Sequence, residues 1–218
     1  DVNPSTEMSE RWLQRQKVIV LSGASGISEE GARRLTSWVR DGGSLLATYD
    51  TGLYDAEGLQ RQDGGALQEV LGVKMKGGPS RSQPECYIRI KEKHAALGDY
   101  ESGAIIEGDG RLVPVETLNG ARTIAECWEL GTGEVRGPAV VVNNYGRGRT
   151  IYVSGSLEAN YLYDRVQSTS RLIASMVSYL ANGTPMPFKL KAPRGVYGML
   201  RQTKSGGLVL WILGNIGF

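Results

Sequence analysis

The chain has 218 residues, with 25 Lys and Arg against 23 Asp and Glu and a formal net charge of +2. That balance leaves no electrostatic footprint for nucleic acid or an anionic membrane, so neither is expected as a partner. A hydrophobic fraction of 40% with 22% charged residues fits a folded domain with a sizeable core, and no run approaches the roughly 18 apolar residues of a membrane span.

In chain order, residues 5–14 place Met8 and Trp12 four apart behind Ser5, which predicts a short amphipathic helix capped by Ser5. KVIVLSG, 17–23, is a continuous apolar run ending in Gly and reads as a buried strand of a parallel sheet. Ser28 caps a helix to about Arg40. Glu29 and Glu30 fill its first turn, where the helix dipole favours acids, and Ala32, Leu35 and Val39 share one face. Asp41-Gly42-Gly43 ends it, and SLLATY, 44–49, is the next strand. Strand, helix and strand make a βαβ unit with a right-handed crossover.

The chain is then irregular to Gly64, and 66–73 forms a short helix ending near Gly72. The Gly-, Pro- and charge-rich stretch 74–137 holds the short runs CYIRI, AIIEG, LVPVE and TIAECWEL, expected as edge strands or hairpins inserted into the α/β framework. Residues 139–155 read as two strands around Gly146-Arg147-Gly148. Val166, Ile173, Met176, Val177 and Leu180 give a helical stripe that stops at Asn182-Gly183. From Thr184 the composition changes to a Pro-rich segment. A hairpin of GVYGMLRQT and GLVLWILGN follows, joined by Lys204-Ser205-Gly206-Gly207. A lone hairpin is marginal in water, so it must pack on the α/β domain or open a β-sandwich. Domains are expected at 1–183 and 184–218.

Cys86 and Cys127 sit in strand-like runs and are expected as buried free thiols, with a single disulfide as the alternative. Nothing in the sequence assigns a compartment, and no motif calls for a cofactor.

The leading place for chemistry is Asp50-Thr51-Gly52, after the strand 44–49, because ligands of open α/β sheets bind outside the carboxyl ends of strands. Asp50 holds the position a nucleophile elbow would present, although Asp50 and Thr51 would serve equally as turn caps. Asp-Thr-Gly is also the aspartic-protease tripeptide, but a single copy on an α/β strand lacks the second carboxylate that mechanism requires. Glu158, Asn160 and Tyr161, after the strand 149–154, are expected to face the same crevice, or else to cap the helix that follows. Gly23-Ala24-Ser25-Gly26 precedes a helix but has neither the glycine spacing nor the lysine of a phosphate loop, and Glu29 and Glu30 would repel a phosphate. The one histidine, His94, lies in a charged stretch and is expected at the surface. With no second histidine and no Cys at ligand spacing it founds no zinc site. The four Trp residues are scattered and expected in the core or at interfaces.

The segment 17–55, with its strand, its helix from Ser28 to Arg40, Gly42-Gly43, a second strand and Thr51-Gly52-Leu53-Tyr54-Asp55, resembles the trimerisation domain of glycoside hydrolase family forty-two. Gly146-Arg147-Gly148-Arg149 before TIYVSG resembles that family's late strand, and the likeness covers roughly 13–183. The resemblance implies a doubly wound, flavodoxin-like sheet of the class I glutamine-amidotransferase kind, followed by a small β-sandwich that 184–218 would open. It also implies that the first strand and helix of the sheet lie upstream of Asp1. Against the wider amidotransferase pattern, Asp50 stands for the nucleophilic Cys and Ser156 for the His, while Glu158 alone matches, so no catalytic residue carries over. In the family the catalytic carboxylates sit on an upstream barrel.

Three function classes follow. The first is a non-catalytic assembly domain of a glycoside hydrolase, whose partners are further copies of itself or that barrel. The second is a carbohydrate- or other small-ligand-binding domain that uses the Asp50 and Glu158 loops. The third is a self-standing hydrolase or amidotransferase, for which the sequence supplies the fewest groups.

Overall fold

The computed structural model describes residues 8–80, 86–108, 111–159, 167–181, 183–184, 188, 190–192, 196–203 and 205–214. They form two compact units, Asp1–Asn182 and Gly183–Phe218.

The first unit opens with α1 (Glu10–Leu13), capped by Ser9, whose hydroxyl accepts from the Trp12 N–H; the expected cap Ser5 lies outside the described residues. β1 (Val18–Ser22), α2 (Glu29–Arg40) and β2 (Ser44–Thr48) follow as a βαβ unit, with β1 and β2 parallel. Ser28 caps α2 by accepting from the Gly31 N–H at 3.1 Å, as the serine before two acids predicts. The short α3 (Gln68–Leu71) ends at Gly72, whose φ of 69° is the left-handed geometry that a helix stop requires.

Of the runs expected as edge strands or inserted hairpins, LVPVE stays apart from the main sheet, AIIEG supplies its edge, and CYIRI and TIAECWEL extend it. β3 (Val73–Met75) and β6 (Val115–Thr117) form a small antiparallel pair of their own. β4 (Cys86–Ile90), β5 (Ile105–Ile106) and β7 (Arg122–Glu129) join the main sheet, whose order is β1-β2-β9-β8-β7-β4-β5, with β8 (Val135–Tyr145) and β9 (Gly148–Val153). Only β1, β2 and β9 run parallel. From β9 onward each pair is antiparallel. The fold is therefore a mixed α/β sheet rather than a wholly parallel one. The tight turn at Gly146-Arg147 is the cause, since parallel neighbours need a crossover of a dozen or more residues.

Two hydrophobic clusters cover the two faces of the sheet. Leu46, Val140, Ile151 and Val153 pack beneath α4 (Gln167–Leu180) with Leu172, Met176 and Leu180. Leu45, Ala47, Val141 and Tyr152 pack on the other face with Leu35 and Val39 of α2. Alternate residues of the same strand serve opposite faces, so β2, β8 and β9 must be apolar throughout. Each fully buried Leu or Ile there contributes about 1.5–3 kcal/mol. The edge strand β1 is less covered, with Val20 47% exposed. Gly148 lets β9 start under the end of α2: a side-chain carbon there would stand 2.2 Å from the Val39 carbonyl oxygen and 2.3 Å from that of Gly43.

The second unit holds the antiparallel hairpin of β10 (Val196–Gln202) and β11 (Leu208–Gly214). Gly206 turns it with φ 87°, and the Thr203 N–H donates to the Gly207 carbonyl. Leu208, Leu210 and Ile212 on one face of β11 and Val209, Trp211 and Leu213 on the other are all exposed. Among the described residues no helix is long and apolar enough to cross a membrane.

Candidate functional site

The parallel strands β1, β2 and β9 end at Gly23, Asp50 and the Gly155–Glu158 segment, and their carboxyl ends bring these residues together. Glu158 Oε1 and Asp50 Oδ1 lie 3.7 and 3.9 Å from the point where a side-chain carbon on Gly23 would stand. The two carboxylates are thus neighbours across a glycine that leaves room for both. Asn160 and Tyr161, the other expected members, lie outside the described residues.

Each carboxylate already has a hydroxyl partner. Ser25 Oγ donates to Asp50 Oδ2 at 2.8 Å, and Thr48 Oγ1 donates to Glu158 Oε1 at 2.8 Å. Thr48 Oγ1 in turn accepts from the Gly23 N–H at 3.1 Å, so a relay of two hydrogen bonds ties the end of β1 through the last residue of β2 to Glu158. Thr51 is 1% exposed; its hydroxyl accepts from the Ala24 N–H and lies 2.7 Å from the Thr48 carbonyl oxygen. Sequence reasoning singled out the carboxylates but missed Ser25 and Thr48. Both hydroxyls are visible in the sequence, but they meet carboxylates 25 and 110 residues away in the chain, a pairing that no local pattern marks.

The loops over these strand ends pair with each other. Gly52 N–H donates to the Ala24 carbonyl, Tyr54 N–H to that of Ser25, and Ile27 N–H to that of Tyr54. Gly52 needs its φ of 74° to make that approach. Asp50 keeps only 8% of its surface exposed. The space that a ligand uses in open α/β sheets is here crossed by the protein's own backbone.

The elbow expectation is also displaced. The one non-glycine residue with positive φ among those described is Tyr49, at 56°, so the strained position of the turn carries Tyr49 and not Asp50. Tyr49 is partly buried in the α2-side core, and its carbonyl accepts from Tyr152 Oη at 2.6 Å. Burial, with Asp50 and Cys127 adding to it, pushes the Tyr152 phenol well above the usual tyrosine range, so it stays a neutral donor. The partners that Asp50 and Glu158 show are the hydroxyls of Ser25 and Thr48, where an activated nucleophile of the amidotransferase or triad kind calls for a thiol and an imidazole. Two neighbouring carboxyls are the minimum for glycoside hydrolysis, which needs them about 5 or 6.5–9.5 Å apart. What these two do in the fold is fasten three strand ends.

The remaining sequence candidates lie elsewhere. Cys86 and Cys127 are buried free thiols on adjacent strands, two residues off the directly opposed register, since Cys127 faces Ile88 and Cys86 faces Glu129. Such diagonal neighbours stand about 7–8 Å apart at Cα, beyond what a disulfide spans without backbone movement. Hydrogen bonding with Cys86 and burial push the Cys127 thiol well up. His94 is half-buried rather than on the open surface: its Nδ1 accepts from the Ala96 N–H and its ring meets Tyr179 edge-on at 5.1 Å. Among the described residues no cluster of three or more His, Cys, Asp or Glu could hold a metal ion.

Residues 8–172 match the sequence profile of the β-galactosidase trimerisation domain. The chain is 31% identical over 152 residues to β-galactosidase BbgII of Bifidobacterium bifidum, covering 63% of this chain and 19% of that protein. It is 26% identical over 164 residues to β-galactosidase BgaA of a Planococcus species, covering 73% of this chain and 23% of the relative. The crystal structure of β-galactosidase from Bacillus circulans sp. alkalophilus superposes with a TM-score of 0.70 at 20% identity, over 91% of this chain and 27% of that one. The chain thus spans about a fifth of the length of the curated relatives it matches.

Proposed function

Because the chain belongs to the β-galactosidase trimerisation domain family, we propose that it is a non-catalytic assembly segment of a multidomain glycoside hydrolase acting on β-galactosides, and that it associates with two further copies of itself. The observation that carries this reading is the family match across 8–172. The crevice supports it from the chemical side. Both carboxylates there are committed to hydroxyls, and the loops above them are zipped together. In this reading catalysis belongs to a separate barrel domain of the same protein.

We extend the proposal to the architecture. The sheet is read as part of a larger flavodoxin-like one in which β1 is an inner strand. Support comes from the 47% exposure of Val20 on a parallel edge strand, a kind of strand that is ordinarily covered on both faces. Residues 184–218 are read as the opening of a β-sandwich. Support comes from β11, whose apolar residues are exposed along its whole length and would invite pairing.

The test is the full-length protein carrying Asp50→Asn and Glu158→Gln together, assayed on an aryl β-galactoside. Turnover within a factor of about two of the parent agrees with an assembly role. Loss of turnover in a variant that folds and assembles normally would assign the crevice a part in the chemistry.

A further inference from the structure

A polar cleft lies at the other end of the sheet, where β9 begins. Arg122 pairs with Val142, and Asn144 pairs with Arg149. Val142 packs in the core beneath α4, and Asn144, two residues on in β8, continues the same face outward. The polar end of that face is flanked by Tyr179, in the last turn of α4, and by His94, which caps the 3₁₀ turn Ala95–Leu97. The Arg149 guanidinium lies over the Tyr179 ring, 5.4 Å from its centroid. His94, Gly120, Arg122, Asn144 and Tyr179 are among the residues that line an open cleft of about 280 Å³.

Arg122, His94 and Asn144 each bring a hydrogen-bond donor to the lining of this cleft. The Arg122 Nε lies 3.0 Å from Glu92 Oε1 in an ion pair whose arginine side chain is 59% exposed. His94 uses Nδ1 as an acceptor for the Ala96 N–H, so the neutral ring carries its proton on Nε2 and donates from there. The Asn144 amide makes no side-chain hydrogen bond among the described residues, and no Asp or Glu lines the cleft. One arginine in the lining, with the His94 and Asn144 donors beside it and its ion-pair partner Glu92 outside the lining, matches an acceptor-only ligand.

We propose that the cleft of Arg122, His94, Asn144 and Tyr179 binds a small oxyanion, a carboxylate or a phosphate group. The guanidinium of Arg122 supplies the charge and two parallel N–H groups, and the Asn144 amide and the His94 Nε2–H supply direction. Arg149 adds to the local field from above Tyr179. Burial and the Arg122 charge both lower the pKa of His94, against a smaller opposite effect of Glu92. A bound anion opposes that depression.

The chain has a single histidine, so its ring proton resonances in the NMR spectrum report the cleft without ambiguity. Sodium phosphate and sodium acetate are each titrated into the full chain at constant ionic strength held with sodium chloride. The expected result is a saturable shift of the His94 signals with at least one of the two, and a higher His94 titration midpoint in its presence. Saturation by phosphate alone assigns the phosphate class, and saturation by acetate assigns the carboxylate class. Arg122→Gln, a change at a side chain 59% exposed, should weaken the apparent affinity about tenfold or more, the loss of one charge-assisted hydrogen bond. Asn144→Ala should weaken it severalfold with the spectrum otherwise unchanged. Shifts that stay linear with either salt and match those of chloride, or that persist unchanged in Arg122→Gln, overturn the proposal.

Discussion

Replacing Thr48 by Val tests whether the carboxyl-end crevice is a structural fastening. The two side chains have nearly the same volume, so the change deletes one hydroxyl and little packing. That hydroxyl is the acceptor for the Gly23 N–H and the donor to Glu158, and Thr48 is only 4% exposed. Its loss therefore removes two hydrogen bonds and leaves a part-buried N–H and a carboxylate oxygen without that partner. A stranded buried group costs about 1–3 kcal/mol. Glu158 is less buried than Thr48 and can recover part of its hydration, so the expected loss is about 2 kcal/mol. For a unit of this size each kcal/mol lowers the melting temperature by about 2–4 °C. Urea unfolding of the isolated chain, followed by circular dichroism, should show a lower midpoint with an unchanged slope. Glu158→Ala should behave similarly, and the double variant should lose less than the sum of the two singles, because the shared bond is removed only once. A midpoint equal to the parent in Thr48→Val would refute the relay. Strict additivity in the double variant would show that the two residues do not act through one another.

Three other outcomes follow from the geometry. Gly148→Ala forces a carbon into two backbone oxygens that cannot yield, Val39 and Gly43, and should cost about 3 kcal/mol or more, read as a fall in soluble yield or in unfolding midpoint. His94 has a folded pKa below its ordinary value of about 6.5, held there by burial and then by Arg122. The unfolded chain therefore binds more protons in the window just below 6.5, so stability falls as pH drops through it; His94→Asn, which can keep the cap, should flatten that fall in parallel unfolding curves. Cys86 and Cys127 are buried, and Cys127 is held protonated by its contact with Cys86 and by burial. A disulfide reagent at pH 8 should modify neither in the native chain and both after unfolding, with prompt reaction of the native protein counting against the packing described.

The elements legible in the sequence were those whose burial is set locally. The run KVIVLSG, the Ser28 cap before Glu29 and Glu30, and the apolar stripe of Ile173, Met176, Val177 and Leu180 each carry their own periodicity, and each appears where expected. What the sequence hid was pairing at long range. CYIRI and TIAECWEL read as strands, but nothing within them says that β4 and β7 extend the main sheet instead of forming an annex. The direction change at β9 was implicit in the turn at Gly146-Arg147, because a hairpin cannot continue a parallel sheet. At the crevice, Asp50 and Glu158 could be foreseen as neighbours because both follow strands of one sheet. The hydroxyls that hold them could not be assigned, since Ser25 and Thr48 reach their partners across 25 and 110 residues of chain. The positive φ at Tyr49 was invisible for a different reason: tyrosine seldom adopts it, and here packing on the α2-side core and the bond from Tyr152 hold it there.

Sedimentation equilibrium of the full-length protein tests most directly whether this domain assembles rather than catalyses. A mass of three protomers that persists through dilution to the nanomolar concentrations of an activity assay is the predicted result. A single protomer mass across that range, in a preparation that hydrolyses β-galactosides at full rate, would contradict it.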